Sequence, residues 1–323
     1  MSPDHKPSIG FSLDLDNLWS YLKIRGDAAW EKYPSFLNTF VPYVLDVLDS
    51  LDLKITFFVV GQDAVVEDNF EALRMIVARG HEIGNHSFNH EPWLPLYNRE
   101  DLRREVLLTE EHIHRVTGQK TVGFRGPGYV WTPELLEILH ENGYLYDATT
   151  LPTSIGPIAR TYYFLNNTFD PQEKEKRKYG FGTVKDAVRP VKPYYWLLPS
   201  GAKLLEIPVT TIPCMKVPFH TSYLLYLSQV STLLMAAYLK FAIHMCRLTS
   251  TEPSFLLHPL DLISGEQYPE LNFFPGMNVD ENRKLQLVQS IILELKKYFK
   301  PVNIRTHAGS YLSRAGLKII PVS

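Results

Sequence analysis

The chain has 323 residues, 45% of them hydrophobic and 21% charged, with a formal net charge of −2. That composition belongs to a folded protein rather than a disordered one, and the near-neutral balance leaves no basic footprint for a nucleic-acid partner. Two cysteines, Cys214 and Cys246, make neither a metal motif nor a disulfide framework; they read as buried thiols, which fits a reducing compartment. The opening residues MSPDHKPSIG lack the basic-then-apolar pattern of a secretory signal, so the expected location is the cytoplasm.

Along the chain, residues 8–15 read as a buried strand, 36–51 as a helix and 55–60 as a second buried strand. Residues 70–79 have helical spacing and stop at Gly80, and 99–117 form a long amphipathic helix stopped by Gly118. A short strand at 122–125 precedes a helix that Pro133 opens and that runs to Asn142; Gly143 breaks it before a strand at 144–148. Strands follow at 203–210 and 254–258, then a helix at 281–298 and a strand at 302–305. Strands alternating with helices predict an α/β fold on a parallel sheet, within one domain of residues 1–323. Two stretches break the rhythm. Residues 150–202, with the charge run 173–178 and the sequence RPVKPYYWLLP, read as an excursion on the rim. Residues 221–247 are apolar and helical over most of their length, long enough to cross a bilayer at ~20 residues, but Lys240 and His244 would then lie deep in lipid. The segment is expected to be buried or to lie against a membrane surface or lipid tail.

The first strand carries Asp14 and Asp16, which alternation puts on one face. Two carboxylates at the end of an apolar strand need a cation or hydrogen-bonding partners if they are buried. The run His86-Ser87-Phe88-Asn89-His90 holds two histidines four apart, which a helical turn would put on one side. With Asp16 they make a two-histidine, one-carboxylate set suited to a divalent transition metal, with positions left for water and substrate. His81 lies off that face and reads as structural.

These segments resemble the polysaccharide deacetylase family, the NodB-homology group also called carbohydrate esterase family 4. That family's five motifs occur here in order over residues 11–258, about four-fifths of the chain. The family's Thr-Phe-Asp-Asp-Gly is replaced by Ser12-Leu13-Asp14-Leu15-Asp16-Asn17, with aspartates one residue apart as in some branches. His86-Ser87-Phe88-Asn89-His90 matches the His-Ser/Thr-x-x-His motif throughout. Arg125-Gly126-Pro127 matches Arg-x-Pro, followed by Gly128 and Tyr129 where many members have an aromatic directly. Tyr146-Asp147-Ala148 and Leu256-Leu257-His258 complete the set.

The resemblance implies a distorted (β/α) barrel with a long rim insertion. It implies one divalent metal, zinc by its ligand types, held by Asp16, His86 and His90. It also implies Asp14 as general base, oriented by Arg125, and His258 as acid, supported by Asp147. Gly128 and Tyr129 would lie at the oxyanion and substrate side. The implied activity is hydrolysis of an N-acetyl or N-formyl group from an amino sugar. Asp14-Leu15-Asp16 and the stretch 206–213, EIPVTTIP, are similar to the branch of deformylases acting on polyprenyl-linked formamido-arabinose, although the residues around Arg125 differ from that branch. With the apolar segment, this suggests a polyprenyl-linked amino sugar and a peripheral position on the inner face of the membrane. Two alternatives remain open: a cyclic-imide or allantoin-type C–N hydrolase of the same fold, and a catalytically silent carbohydrate-binding protein.

Overall fold

The computed structural model describes residues 6–154 and 187–322. In chain order the first half contains β1 (Ser8–Leu15), α1 (Leu18–Arg25), α2 (Leu37–Ser50), β2 (Thr56–Val59), α3 (Phe70–Ala78) and β3 (Glu82–Asn85). It continues with α4 (Arg99–Thr117), β4 (Gly123–Phe124), α5 (Pro133–Glu141) and β5 (Tyr146–Asp147). The second half contains β6 (Tyr194–Leu197), β7 (Lys203–Glu206), α6 (Thr221–Val230), α7 (Thr232–Leu248) and β8 (Ser254–Leu257). It ends with α8 (Glu281–Tyr298), β9 (Lys300–Asn303), α9 (Ile304–Leu312) and β10 (Ile319–Pro321).

The strands form one sheet in the order β10-β6-β7-β5-β4-β3-β2-β1-β8, with β9 also on β1. Its pairings are parallel except for the antiparallel β6–β7 hairpin. β2 takes residues 12–15 of β1, β9 takes 8–11, and β8 takes 10–13. Because β8 overlaps β9 in register, β9 and β2 lie end to end along the same edge of β1. Gly10 makes room for this: a Cβ there would meet Ile304 Cδ1 at 2.8 Å and His307 at 3.2 Å. Among the described residues no ladder joins β8 to β7. Thr210, just past β7, bridges them instead, its N–H donating to the Ser254 carbonyl at 3.0 Å and its hydroxyl accepting from the Ser254 N–H at 2.8 Å.

Alternation divides β1 into two faces. Ile9, Phe11, Leu13 and Leu15 enter the main apolar core with α2, α3 and α8, whereas Ser12 and Asp14 face the polar interior. Glu82 ties that interior together at the start of β3. It accepts from Thr56 Oγ1 at 2.5 Å, Tyr146 OH at 3.0 Å and the Arg305 N–H at the head of α9 at 2.9 Å.

Several expectations are revised. The excursion expected over 150–202 rejoins the sheet early: Tyr194–Leu197 is β6, with Tyr194 and Trp196 buried. The charge run 173–178 lies outside the described residues. The apolar stretch is two helices, because Ser231 turns extended (φ −163°) and caps α7 by accepting from Leu234 N–H at 3.3 Å. Among the described residues no helix is long and apolar enough to cross a membrane. The strand expected at 302–305 ends at Asn303, whose side chain caps α9 through the Thr306 N–H at 2.8 Å. Cys246 is buried but Cys214 is exposed.

Candidate metal centre and active site

Parallel strands bring their carboxyl ends to the same side of a sheet, and ligand sites gather there. Asp14 and Asp16 stand at the end of β1, His86 follows β3, Arg125 follows β4, Asp147 ends β5 and His258 follows β8.

Asp16, His86 and His90 are buried, and their ligand atoms lie within 4.8 Å of one another. Asp16 Oδ1 is 2.9 Å from His90 Nε2 and 3.4 Å from His86 Nε2. His86 Nδ1 is 2.7 Å from the Arg125 carbonyl, which can only accept; Nδ1 therefore carries a proton, and Nε2 is the atom turned to Asp16. Asp16 Oδ1 is buried with no well-formed hydrogen bond. A carboxylate oxygen facing two imidazole nitrogens needs a proton or a metal ion between them, and the donor set fits a divalent cation. Burial alone would raise the Asp16 carboxyl; His90 and His86 instead hold it well below the usual carboxylate range.

The two histidines converge through a loop, not the helical turn their spacing suggests. Ser87 (φ 60°) and His90 (φ 52°) are left-handed, a costly conformation for such residues that surrounding contacts must hold. Asn85 Oδ1 accepts the Ser87 N–H at 2.9 Å. Glu105 on α4 accepts the N–H groups of Phe88 and Asn89 at 2.7 and 2.9 Å, and the Asn89 side chain at 2.5 Å.

Arg125 is fully buried. Its Nη1 donates to Asp14 Oδ1 at 2.6 Å and Ser12 Oγ at 2.8 Å, its Nε donates to the Ala148 carbonyl at 2.9 Å, and its plane lies 4.3 Å from the Phe58 ring. The other Asp14 oxygen is 3.9 Å from His258 Nε2. Base candidate, acid candidate and metal-ligand set thus share one pocket floor. Gly128 (φ 63°) and Tyr129 (φ 61°) form a left-handed step after Pro127. The Tyr129 N–H turns to the Gly126 carbonyl at 3.2 Å. Burial, and then the Asp14 carboxylate, push the Tyr129 hydroxyl well above its ordinary pKa.

The polysaccharide deacetylase family profile matches residues 27–146, which include the histidine loop and Arg125. That segment is similar to the polysaccharide deacetylases. Over 98 residues the chain is 37% identical to a chitooligosaccharide deacetylase of Sinorhizobium fredii, covering 30% of this chain and 44% of that protein. Over 88 residues it is 35% identical to a peptidoglycan-N-acetylglucosamine deacetylase of Bacillus cereus, covering 27% and 31%. The chain thus spans less than half the length of either curated relative. A solved structure from Mycobacterium smegmatis, assigned to the polysaccharide deacetylases, superposes over 100% of this chain and 95% of its own with a TM-score of 0.59 at 19% identity. That likeness establishes the fold, an arrangement of helices around a mainly parallel sheet.

Within this site one expected partnership is not formed. Asp147 does not meet His258; it lies opposite Glu206 in the β5–β7 register and accepts from Thr149 Oγ1 at 2.5 Å. Burial and then Glu206 push the Asp147 carboxyl well above its ordinary value, as expected for two carboxyls sharing one dry pocket. Glu206 is tied further by Thr150, whose N–H and hydroxyl donate at 2.9 and 2.6 Å, and by Trp196 Nε1 at 2.9 Å. His258 instead has Ser222, His220 and Asp261 around it, none singled out from the deacetylase motifs. The run His258-Pro259-Leu260-Asp261 did hold a signal, a carboxylate three residues after a histidine at a helix start.

Proposed function

We propose that this domain is a metal-dependent N-deacylase of amino sugars, and that Asp16, His86 and His90 hold its metal. The observation carrying the reading is the convergence of Asp16 Oδ1 with the Nε2 atoms of both histidines, 2.9 and 3.4 Å away. The nitrogen-rich set suits zinc. Such an ion, when bound, polarises the acyl carbonyl and lowers the pKa of water.

The chain's own groups supply the proton transfers. Asp14, held by Arg125 with one oxygen committed, presents the other to accept the proton of the attacking water. His258 Nε2, on the same side, delivers a proton to the amine nitrogen as the C–N bond breaks. With the Tyr129 N–H engaged, the Gly128 N–H is the better placed candidate to donate to the carbonyl oxygen. Arg125 acts through Asp14, holding its orientation. The curated relatives' names support an N-acetyl amino sugar as substrate class.

A polyprenyl-linked substrate met at the cytoplasmic membrane surface is the finer reading. It is supported by the α6–α7 hairpin, whose tip exposes Val230 at 78% and Leu233 at 81%, with Leu234 beside them. Residues 216–251 contain Lys216, Lys240 and Arg247 but no Asp or Glu, a balance suited to anionic headgroups. The test is mass spectrometry of products from N-acetyl and N-formyl amino sugars, free and polyprenyl-linked, with the zinc-loaded protein. Release of acetate or formate from some member, abolished by chelation, supports the proposal. Tight sugar binding with no release sinks it and leaves a carbohydrate-binding protein. Replacing Leu233 and Leu234 by Ser should reduce turnover of the lipid-linked sugar about tenfold or more, leaving the soluble analogue and the melting temperature nearly unchanged. Equal loss on both substrates would remove the lipid argument.

A further inference from the structure

We propose that Ser222 and Asp261 are the buried partners of His258, positioning residues that hold its imidazole with Nδ1 protonated and sustain its charged form. The inference rests on His258 being the proton donor.

Its first support is connectivity. Ser222 Oγ donates to Asp261 Oδ1 at 2.7 Å and lies 3.4 Å from His258 Nδ1. A serine hydroxyl has one proton; with that proton on Asp261, its oxygen can only accept from His258. Ser222 is thus set to accept from Nδ1 when His258 is the imidazolium, with Nε2 turned to the Asp14 side, 3.9 Å from Oδ2. The other Asp261 oxygen accepts the His258 backbone N–H at 2.8 Å. One carboxylate thus grips both ends of the same residue.

The second support is the setting. Asp261 is buried, and burial pushes its carboxyl up; His258, the Ser222 hydroxyl and Lys284 act in the opposite direction, so its charge depends on these partners. Lys284 on α8 donates to the carbonyls of Leu260 and Ile263 at 2.7 and 2.6 Å and faces Asp261, fixing the loop that carries it. Other groups bear on the pair from every side. Asp14 comes from β1 and Arg125 follows β4. His220 at the head of α6 has its ring centroid 6.2 Å from that of His258, and Tyr21 of α1 lies near Asp261. His220 is held neutral, pushed down to about 3 by burial and then by His258 and Arg125, so it adds no charge near neutrality. Asp147, committed to Glu206 and Thr149, is not placed to serve this role.

In the reaction His258 starts as imidazolium. Nε2–H passes to the departing nitrogen as the C–N bond breaks, and the ring is left neutral with Nδ1–H still on Ser222. The proton that restores the imidazolium comes from solvent or from Asp14.

The experiment is an NMR titration of the His258 imidazole in the zinc-loaded protein, assigned by its absence in His258→Gln, alongside the pH profile of kcat. Asp261→Asn keeps an oxygen for the His258 N–H but removes the charge. It should lower the imidazole pKa by about one unit or more, and the alkaline limb of kcat should move down with it. Ser222→Ala should give a smaller shift in the same direction, Ser222→Thr should restore the wild-type titration, and Asp147→Asn should leave it in place. An unmoved His258 titration in both Asp261→Asn and Ser222→Ala overturns the proposal and leaves Asp261 a helix cap. Full turnover by His258→Gln would instead overturn the assignment of the proton donor, while the titration still decides the pairing.

Discussion

Arg125→Met removes a cation with no exposed surface, while the apolar part of the side chain stays to fill its place. The loss takes from Asp14 its 2.6 Å partner, from Ser12 and the Ala148 carbonyl their donor, and from Phe58 its stacked guanidinium. Asp14 is itself only 4% exposed, so the variant leaves a carboxylate in a dry interior, an effect that costs ~3–5 kcal/mol when a buried pair is broken from one side. Asp14→Asn breaks the pair from the other side and should also be costly. The double variant leaves neither charge alone, so its loss should fall short of the sum by at least ~2 kcal/mol. The assay is equilibrium urea unfolding followed by far-UV circular dichroism, with chelator present so that metal linkage adds nothing. Additivity within ~0.5 kcal/mol would refute the reasoning, since it would mean that Arg125 and Asp14 do not sense each other.

The protein should bind about one zinc per chain by equilibrium dialysis and elemental analysis, and His86→Ala or His90→Ala should lose it; full occupancy in the double histidine variant would contradict the assignment. Asp16→Asn should weaken metal affinity, whereas Asp14→Asn should keep the metal and lose ~10²–10⁴-fold in turnover, as removal of a general base does; exchanged phenotypes would reverse the two roles. His307, buried beneath β1 and bonded to Ser8, is pushed down to about 4 by burial. The unfolded chain therefore binds its proton first, and the folded state loses stability as pH falls from about 6.5 to about 4, by ~3 kcal/mol for this group. His307→Gln should not share that loss, so its stability relative to wild type should rise toward pH 4; parallel curves would show that His307 titrates normally.

What could be read from the residues alone depended on how local the determinant was. The helices at Arg99–Thr117 and Glu281–Tyr298 were readable to the residue because their ends are written beside them, in Asn98, Gly118 and Asp280. The break at Ser231 was hidden because apolar residues continue on both sides and only the backbone changes direction. The metal-ligand candidates were legible as a spacing, but the loop that joins them was not: it depends on Glu105, held on a helix that no local pattern connects to His90. The partner of Asp147 was illegible for the same reason. Glu206 is opposite it only because β7 turns back from β6 and lies between β6 and β5, a long-range fact of topology.

Arg125 reaches β1 through Ser12 and Asp14, β2 through Phe58, the segment after β5 through Ala148, and the histidine loop through its own carbonyl. A side chain with that many dependants constrains how such a protein can diversify. Changes at the floor would have to arrive together, because each neighbour's position presupposes the others. The α6–α7 hairpin and its exposed tip answer to no such agreement. Descendants of this chain that acquire new substrates should therefore differ along the rim on the 216–251 side while their floors stay interchangeable, and grafting a hairpin between relatives should transfer preference more readily than exchanging any residue around Arg125.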